Sequence, residues 1–125
     1  MLSPASSILI VDDELDIVVL CKQALGRQGY TVFGFTDPVL ALEHFKINSA
    51  GYSLVITDVR MPQMSGLELA ANIKAIKPDA KIVLMSAFDL SDFEFSIPGT
   101  KIKDLLRKPV DVNTLVRRVK MAIAN

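Results

Sequence analysis

Four short runs of apolar, mostly β-branched residues limit what this chain can become: Ile8–Val11, Thr31–Phe35, Leu54–Thr57 and Lys81–Met85, each followed by turn or capping residues. Runs this brief and this continuously apolar suit strands buried on both faces. The stretches between them carry helical periodicity, and that alternation favours a parallel sheet covered by helices on two sides. A sandwich or a helical bundle would not write such a pattern.

The helix boundaries are legible from local chemistry. Asp12, Asp13 and Glu14 precede Leu15–Leu25 and suit the positive end of a helix, which Gly26 or Gly29 can close. Asp37 caps a second helix with Pro38 at its first position, followed by Leu40, Ala41, Leu42 and Phe45. Gly66–Ile76 reads as a third helix that stops before Pro78. Near the end of the chain, Asp111 caps a helix whose apolar stripe is Val112, Leu115, Val116, Val119, Ala122 and Ile123, leaving Arg117, Arg118 and Lys120 on a solvated face. Between Phe88 and Leu106 the pattern is weakest: Leu90, Phe93 and Ile97 form one face of a short fourth helix that Pro98 and Gly99 end, and a fifth strand falls around Asp104–Arg107.

Charge and ligand inventory exclude several functions. Lys and Arg (14) cancel Asp and Glu (14), which removes the electrostatic case for binding nucleic acid or an anionic membrane. With one cysteine, Cys21, and one histidine, His44, there are too few soft ligands for zinc, so any metal must be held by oxygen. Cys21 reads as a small core hydrophobe and His44 as a surface residue of the second helix. No apolar run approaches the length of a membrane span, and the opening MLSPASS lacks the features of a signal peptide. The expectation is one domain over residues 1–125, flexible over 1–7, in the cytoplasm, either standing alone or belonging to a longer protein.

Right-handed crossovers put the carboxyl ends of all the strands along one edge of the sheet, where open α/β folds place their chemistry. Asp12 and Asp13 follow the first strand, Asp58 the third, Ser86 the fourth and Lys108 the fifth. Three converging carboxylates repel one another unless a hard cation or an ammonium neutralises them, which points to Mg2+ or Mn2+. Lys108 and Ser86 would complete a phosphoryl site from the opposite side. Taken singly, Asp12 and Asp13 read as helix caps, Asp58 as a turn residue, Lys108 as a surface lysine and Ser86 as a small strand end. Their joint placement reverses that reading.

The strings ILIVDDE, LVITDVRMPQMSGLEL, IVLMSA and LLRKP, in this order, resemble the four signature blocks of the receiver domain of two-component response regulators, from Ile8 to about Ala124. The resemblance implies a flavodoxin-like doubly wound fold, a five-stranded parallel sheet of order 2-1-3-4-5 with helices on both faces. It implies that Asp58 accepts a phosphoryl group from a sensor histidine kinase or phosphotransfer protein. Mg2+ would be bound by Asp13 and Asp58 directly, by Asp12 through water and by the backbone carbonyl of Arg60. Lys108 would pair with the phosphoryl oxygens and Ser86 would swing toward them. A downstream protein or output domain would be met through the face of the fourth helix, fifth strand and fifth helix.

Two departures from the family bear on that readout: Leu105 stands where an aromatic residue is usual, three before Lys108, and Pro98, Gly99 and Thr100 replace the common Gly-Ala pair. Two rivals of similar topology are disfavoured by particular residues. A haloacid-dehalogenase-type enzyme needs a second Asp two places after the nucleophile, where Arg60 stands, and a flavin phosphate would be repelled by Asp12 and Asp13.

Overall fold

The computed structural model describes residues 7–87 and 105–124. In chain order the elements are β1 (Ser7–Val11), α1 (Leu15–Gly26), β2 (Thr31–Phe35), α2 (Pro38–Asn48), a 3-10 turn (Ser49–Gly51), β3 (Tyr52–Asp58), α3 (Gly66–Ile76), β4 (Ile82–Ser86), β5 (Leu105–Arg107) and α4 (Val112–Ala124). The expected short fourth helix around Leu90–Ile97 lies outside the described residues, so the C-terminal helix carries the label α4; of the expected flexible start over 1–7, residues 1–6 also lie outside them, while Ser7 opens β1.

All five strands are parallel and ordered β2-β1-β3-β4-β5. The order agrees with burial: β1, β3 and β4, buried almost throughout, take the three inner positions where both faces are covered, and the more exposed β2 and β5 form the edges. Successive side chains of β1 enter opposite layers. Ile8 and Ile10 pack with Leu25, Leu54, Ile56, Leu115 and Val119 beneath α1 and α4, while Leu9 and Val11 pack with Phe45, Val55, Leu69 and Ile73 beneath α2 and α3. Cys21 is buried in the first of these layers, as expected.

Two helix starts are fixed by the caps the sequence nominates. Asp37 accepts from the backbone N–H of Val39 and Leu40, and Asp111 from Thr114. Ser65 and Glu68 form a reciprocal capping box at the head of α3. At α1, however, the cap residue Glu14 makes no side-chain bond to the helix, and Asp12 Oδ1 accepts the Glu14 N–H itself at 2.9 Å. These side chains are committed elsewhere.

Two strand ends differ from expectation in a way that matters. β3 runs through Asp58 and β4 through Ser86, so both residues are the last of their strands and inherit strand rigidity. Asp58 pairs with Met85, and Ser86 with Arg107.

Candidate functional site: an acidic cluster at the carboxyl edge of the sheet

Asp12, Asp13 and Asp58 come together at the C-terminal edge, each offering a carboxylate oxygen within 4.8 Å of the others. Asp12 and Asp58 are buried and Asp13 is exposed. Into this cluster projects Lys108, whose Nζ lies 2.8 Å from Asp12 Oδ2, 3.0 Å from Glu14 Oε1 and 3.4 Å from Asp58 Oδ2. The lysine is anchored from behind, because its backbone N–H donates to the Ser86 carbonyl at 2.9 Å and so ties the end of β5 to the end of β4.

Asp58 is held as firmly. Its Oδ1 accepts the Val59 N–H at 3.0 Å, while Thr57 Oγ1, fully buried, donates to the Asp58 carbonyl. The loop after it closes where the Gly66 N–H donates to the Val59 carbonyl at 2.8 Å. Gly66 packs directly on the backbone of Asp58, leaving no room for a side chain at 66. In sequence Gly66 stands only as the first residue of the third helix, which gives no sign of this approach.

Electrostatics follow from four carboxylates facing one ammonium. Burial, then the charge of Asp12, push the Asp58 carboxyl up to about 6 against the opposing pull of Lys108 and the Val59 N–H. Burial likewise raises Asp12, despite the ammonium beside it. For Lys108, burial alone would lower the pKa, but its close contacts with Asp12 and Glu14 and the charges of Asp12 and Asp58 outweigh it and leave the ammonium raised. The excess negative charge is what a hard divalent cation would neutralise. Asp12 Oδ2, sealed from solvent, meets Lys108 only as an ion pair and accepts no aligned hydrogen bond, so an all-oxygen donor set with spare lone pairs is present. The residues fit Mg2+ or Mn2+.

Of the residues singled out from sequence, the fold gathers Asp12, Asp13, Asp58 and Lys108. Ser86 is buried at the end of the adjacent strand, and Arg60 lies exposed two residues beyond Asp58. Glu14 was read only as a helix-start charge, yet it bonds the lysine across 94 positions of sequence. His44 is a correction: it is half-buried, hydrogen-bonded to the Tyr52 hydroxyl and to Asn48, and packed among Phe33, Phe35 and Tyr52. It belongs to an aromatic cluster rather than to a bare surface.

The model of the response regulator receiver domain matches residues 8–120. The chain belongs to that family. The receiver is 32% identical over 118 residues to the response regulator receiver protein CpdR of Brucella abortus, covering 94% of this chain and 97% of that one. It is also 31% identical over 123 residues to the C4-dicarboxylate transport transcriptional regulatory protein DctD of Rhizobium meliloti, covering 97% of the receiver and 26% of DctD. It thus spans about a quarter of the length of the first relatives it matches. A response regulator receiver domain protein from Clostridium thermocellum superposes with a TM-score of 0.82 at 30% identity, covering 95% of the receiver and 94% of that chain. Receiver domains are phosphorylation-activated signalling modules, and signalling rather than metabolic catalysis is this receiver's work. Among the described residues no helix is long and apolar enough to cross a membrane.

Proposed function

We propose that residues 1–125 form one receiver domain that takes a phosphoryl group onto Asp58 from the phosphohistidine of a sensor histidine kinase or phosphotransfer protein. The observation that carries this is the Asp58 carboxylate at the rigid end of β3, with one oxygen held by the Val59 N–H and the other facing Lys108 at 3.4 Å. An oxygen of that carboxylate attacks phosphorus, a new O–P bond forms, and the bond from phosphorus to the donor's imidazole breaks, giving an aspartyl phosphate. Burial makes Asp58 more basic than an ordinary aspartate, and so more nucleophilic once ionised. Lys108 meets the transferred phosphoryl oxygens, and Ser86 donates its hydroxyl to one of them.

Mg2+ or Mn2+ would be held by Asp13 and Asp58, by Asp12 through water and by the Arg60 carbonyl, and would supply neutralisation of the phosphoryl charge. The chain's own contribution is positioning: three strand ends fix acceptor, acidic loop and lysine before a donor arrives. The phosphorylated state then signals to a downstream protein or output domain through the face that includes β5 and α4, in the cytoplasm and without direct contact to nucleic acid. Leu105, half-buried against the layer under α2 and α3, offers no polar tip to that face. Incubation with acetyl phosphate, with and without Mg2+, followed by intact mass and peptide mapping tests the assignment. A Mg2+-dependent gain of one phosphoryl on Asp58 is expected, and incorporation at any other residue sinks it.

A further inference from the structure

Lys108 has more anionic partners than it can keep. In the unphosphorylated protein its ammonium stands nearer Asp12 (2.8 Å) and Glu14 (3.0 Å) than Asp58 (3.4 Å). The three partners differ in what they lose on release. Asp12 is fully buried, and a buried carboxylate stripped of its cation is strongly destabilised. The Glu14 side chain is 64% exposed and caps nothing, so water can take the place of the ammonium at little cost.

We propose that Glu14 is a positioning residue for the transfer reaction: it holds Lys108 toward the β1–α1 loop at rest and must release it before the ammonium can serve the phosphoryl group. The inference rests on Asp58 being the phosphoacceptor. As an Asp58 oxygen forms its bond to phosphorus and the donor's bond breaks, with the leaving group departing with the bonding pair, the singly charged carboxylate becomes an aspartyl phosphate with about two negative charges on its phosphoryl oxygens. The ammonium then exchanges Glu14 for phosphoryl oxygen while keeping Asp12. Glu14 therefore opposes phosphorylation by stabilising the resting position of Lys108, and its removal accelerates transfer.

The test is the rate of phosphorylation of the full chain at saturating Mg2+, wild type against Glu14→Gln, with two donors of different charge, acetyl phosphate and phosphoramidate. Glu14→Gln should be faster by about two- to fivefold, the range an exposed ion pair supports. The acceleration should be equal for both donors and should shrink toward unity as salt screens the wild-type pair. Equal or slower rates in a Glu14→Gln protein with a native amide spectrum overturn the proposal. So does an acceleration clearly larger for the more highly charged acetyl phosphate, which would mean that Glu14 repels the donor instead of holding Lys108. Glu14→Ala serves as a second variant with the same expectations. Failure of the wild type to accept phosphoryl from either donor removes the phosphoacceptor reading first, an outcome distinct from the others, and this proposal with it.

Discussion

A Cβ built on Gly66 would stand 1.9 Å from the carbonyl oxygen of Asp58. The head of α3 is therefore seated on the main chain of the residue proposed to take the phosphoryl group, and only glycine allows that approach. Gly66→Ala should destabilise the protein by about 1–3 kcal/mol or more, since backbone rather than a flexible side chain must give way. It should also slow phosphorylation by displacing Asp58. Urea denaturation and acetyl phosphate kinetics check both, and a variant equal to wild type in each would show that the loop yields freely.

Asp58→Asn should abolish phosphorylation and, without metal, raise stability at neutral pH. The raised pKa of Asp58 means that the folded protein disfavours its charge, and the shift from 3.8 to about 6 corresponds to a gain on the order of 2–3 kcal/mol when the charge is removed. A metal-free variant less stable than wild type at pH 7 would contradict this.

The same shift fixes a pH dependence. Between about pH 4 and pH 6 the folded state keeps the Asp58 proton that the unfolded chain releases, so unfolding in this window liberates protons and stability falls as pH rises. Metal-free wild type should lose stability relative to Asp58→Asn across this interval, and the two should run parallel above it. Stability measured in urea at pH 4.5, 5.5 and 7 provides the comparison.

Magnesium should reverse that loss. A ligand bound only by the folded state stabilises it by RT ln(1 + [L]/Kd), about 2.7 kcal/mol at a hundredfold excess over Kd. Melting temperature should rise with Mg2+, more at pH 7 than at pH 5, where protons compete for Asp58. The rise should be much reduced in Asp13→Asn. A melting temperature unmoved by millimolar Mg2+, about the level that saturates a hydrated and weakly held ion, would count against the metal site.

At the opposite end of the sheet, Tyr52→Phe should cost about 1–2 kcal/mol. The Asn48 amide nitrogen donates both to the His44 carbonyl and to His44 Nδ1, which leaves Nε2 to carry the proton and donate it to the Tyr52 hydroxyl. Removing that hydroxyl strands a half-buried donor. Nitrogen chemical shifts of the His44 ring report the tautomer, and a deprotonated Nε2 in the wild type would refute this arrangement.

The sheet order came with the family resemblance, and four of the site residues were legible because a parallel α/β fold converts chain position into spatial position: whatever follows a strand lands on one edge. Asp12, Asp58 and Lys108 obey that rule. The Glu14 bond to Lys108 was not legible, because nothing in a helix-start acid distinguishes a dipole partner from a side chain turned outward to a distant cation. Gly66 stood in sequence only as the start of the third helix, since the oxygen it must clear belongs to a residue eight positions earlier. His44 misled for the opposite reason: its polar character suggested the surface, while its partner Tyr52 sits on the next strand. The readings of the region 88–104 lie outside the described residues.

The anchoring of Lys108 by the Ser86 carbonyl has a consequence for the life of the protein. The acidic loop, the proposed acceptor and the ammonium come from residues 12, 58 and 108, so the site is complete only when β1, β3, β4 and β5 have all docked. A chain still being synthesised, clipped before β5 or partly unfolded presents the aspartate without its cation. Such a molecule lacks the ammonium that would meet an incoming phosphoryl group, and full competence to be switched on therefore waits on the docking of β5, the last strand in the chain.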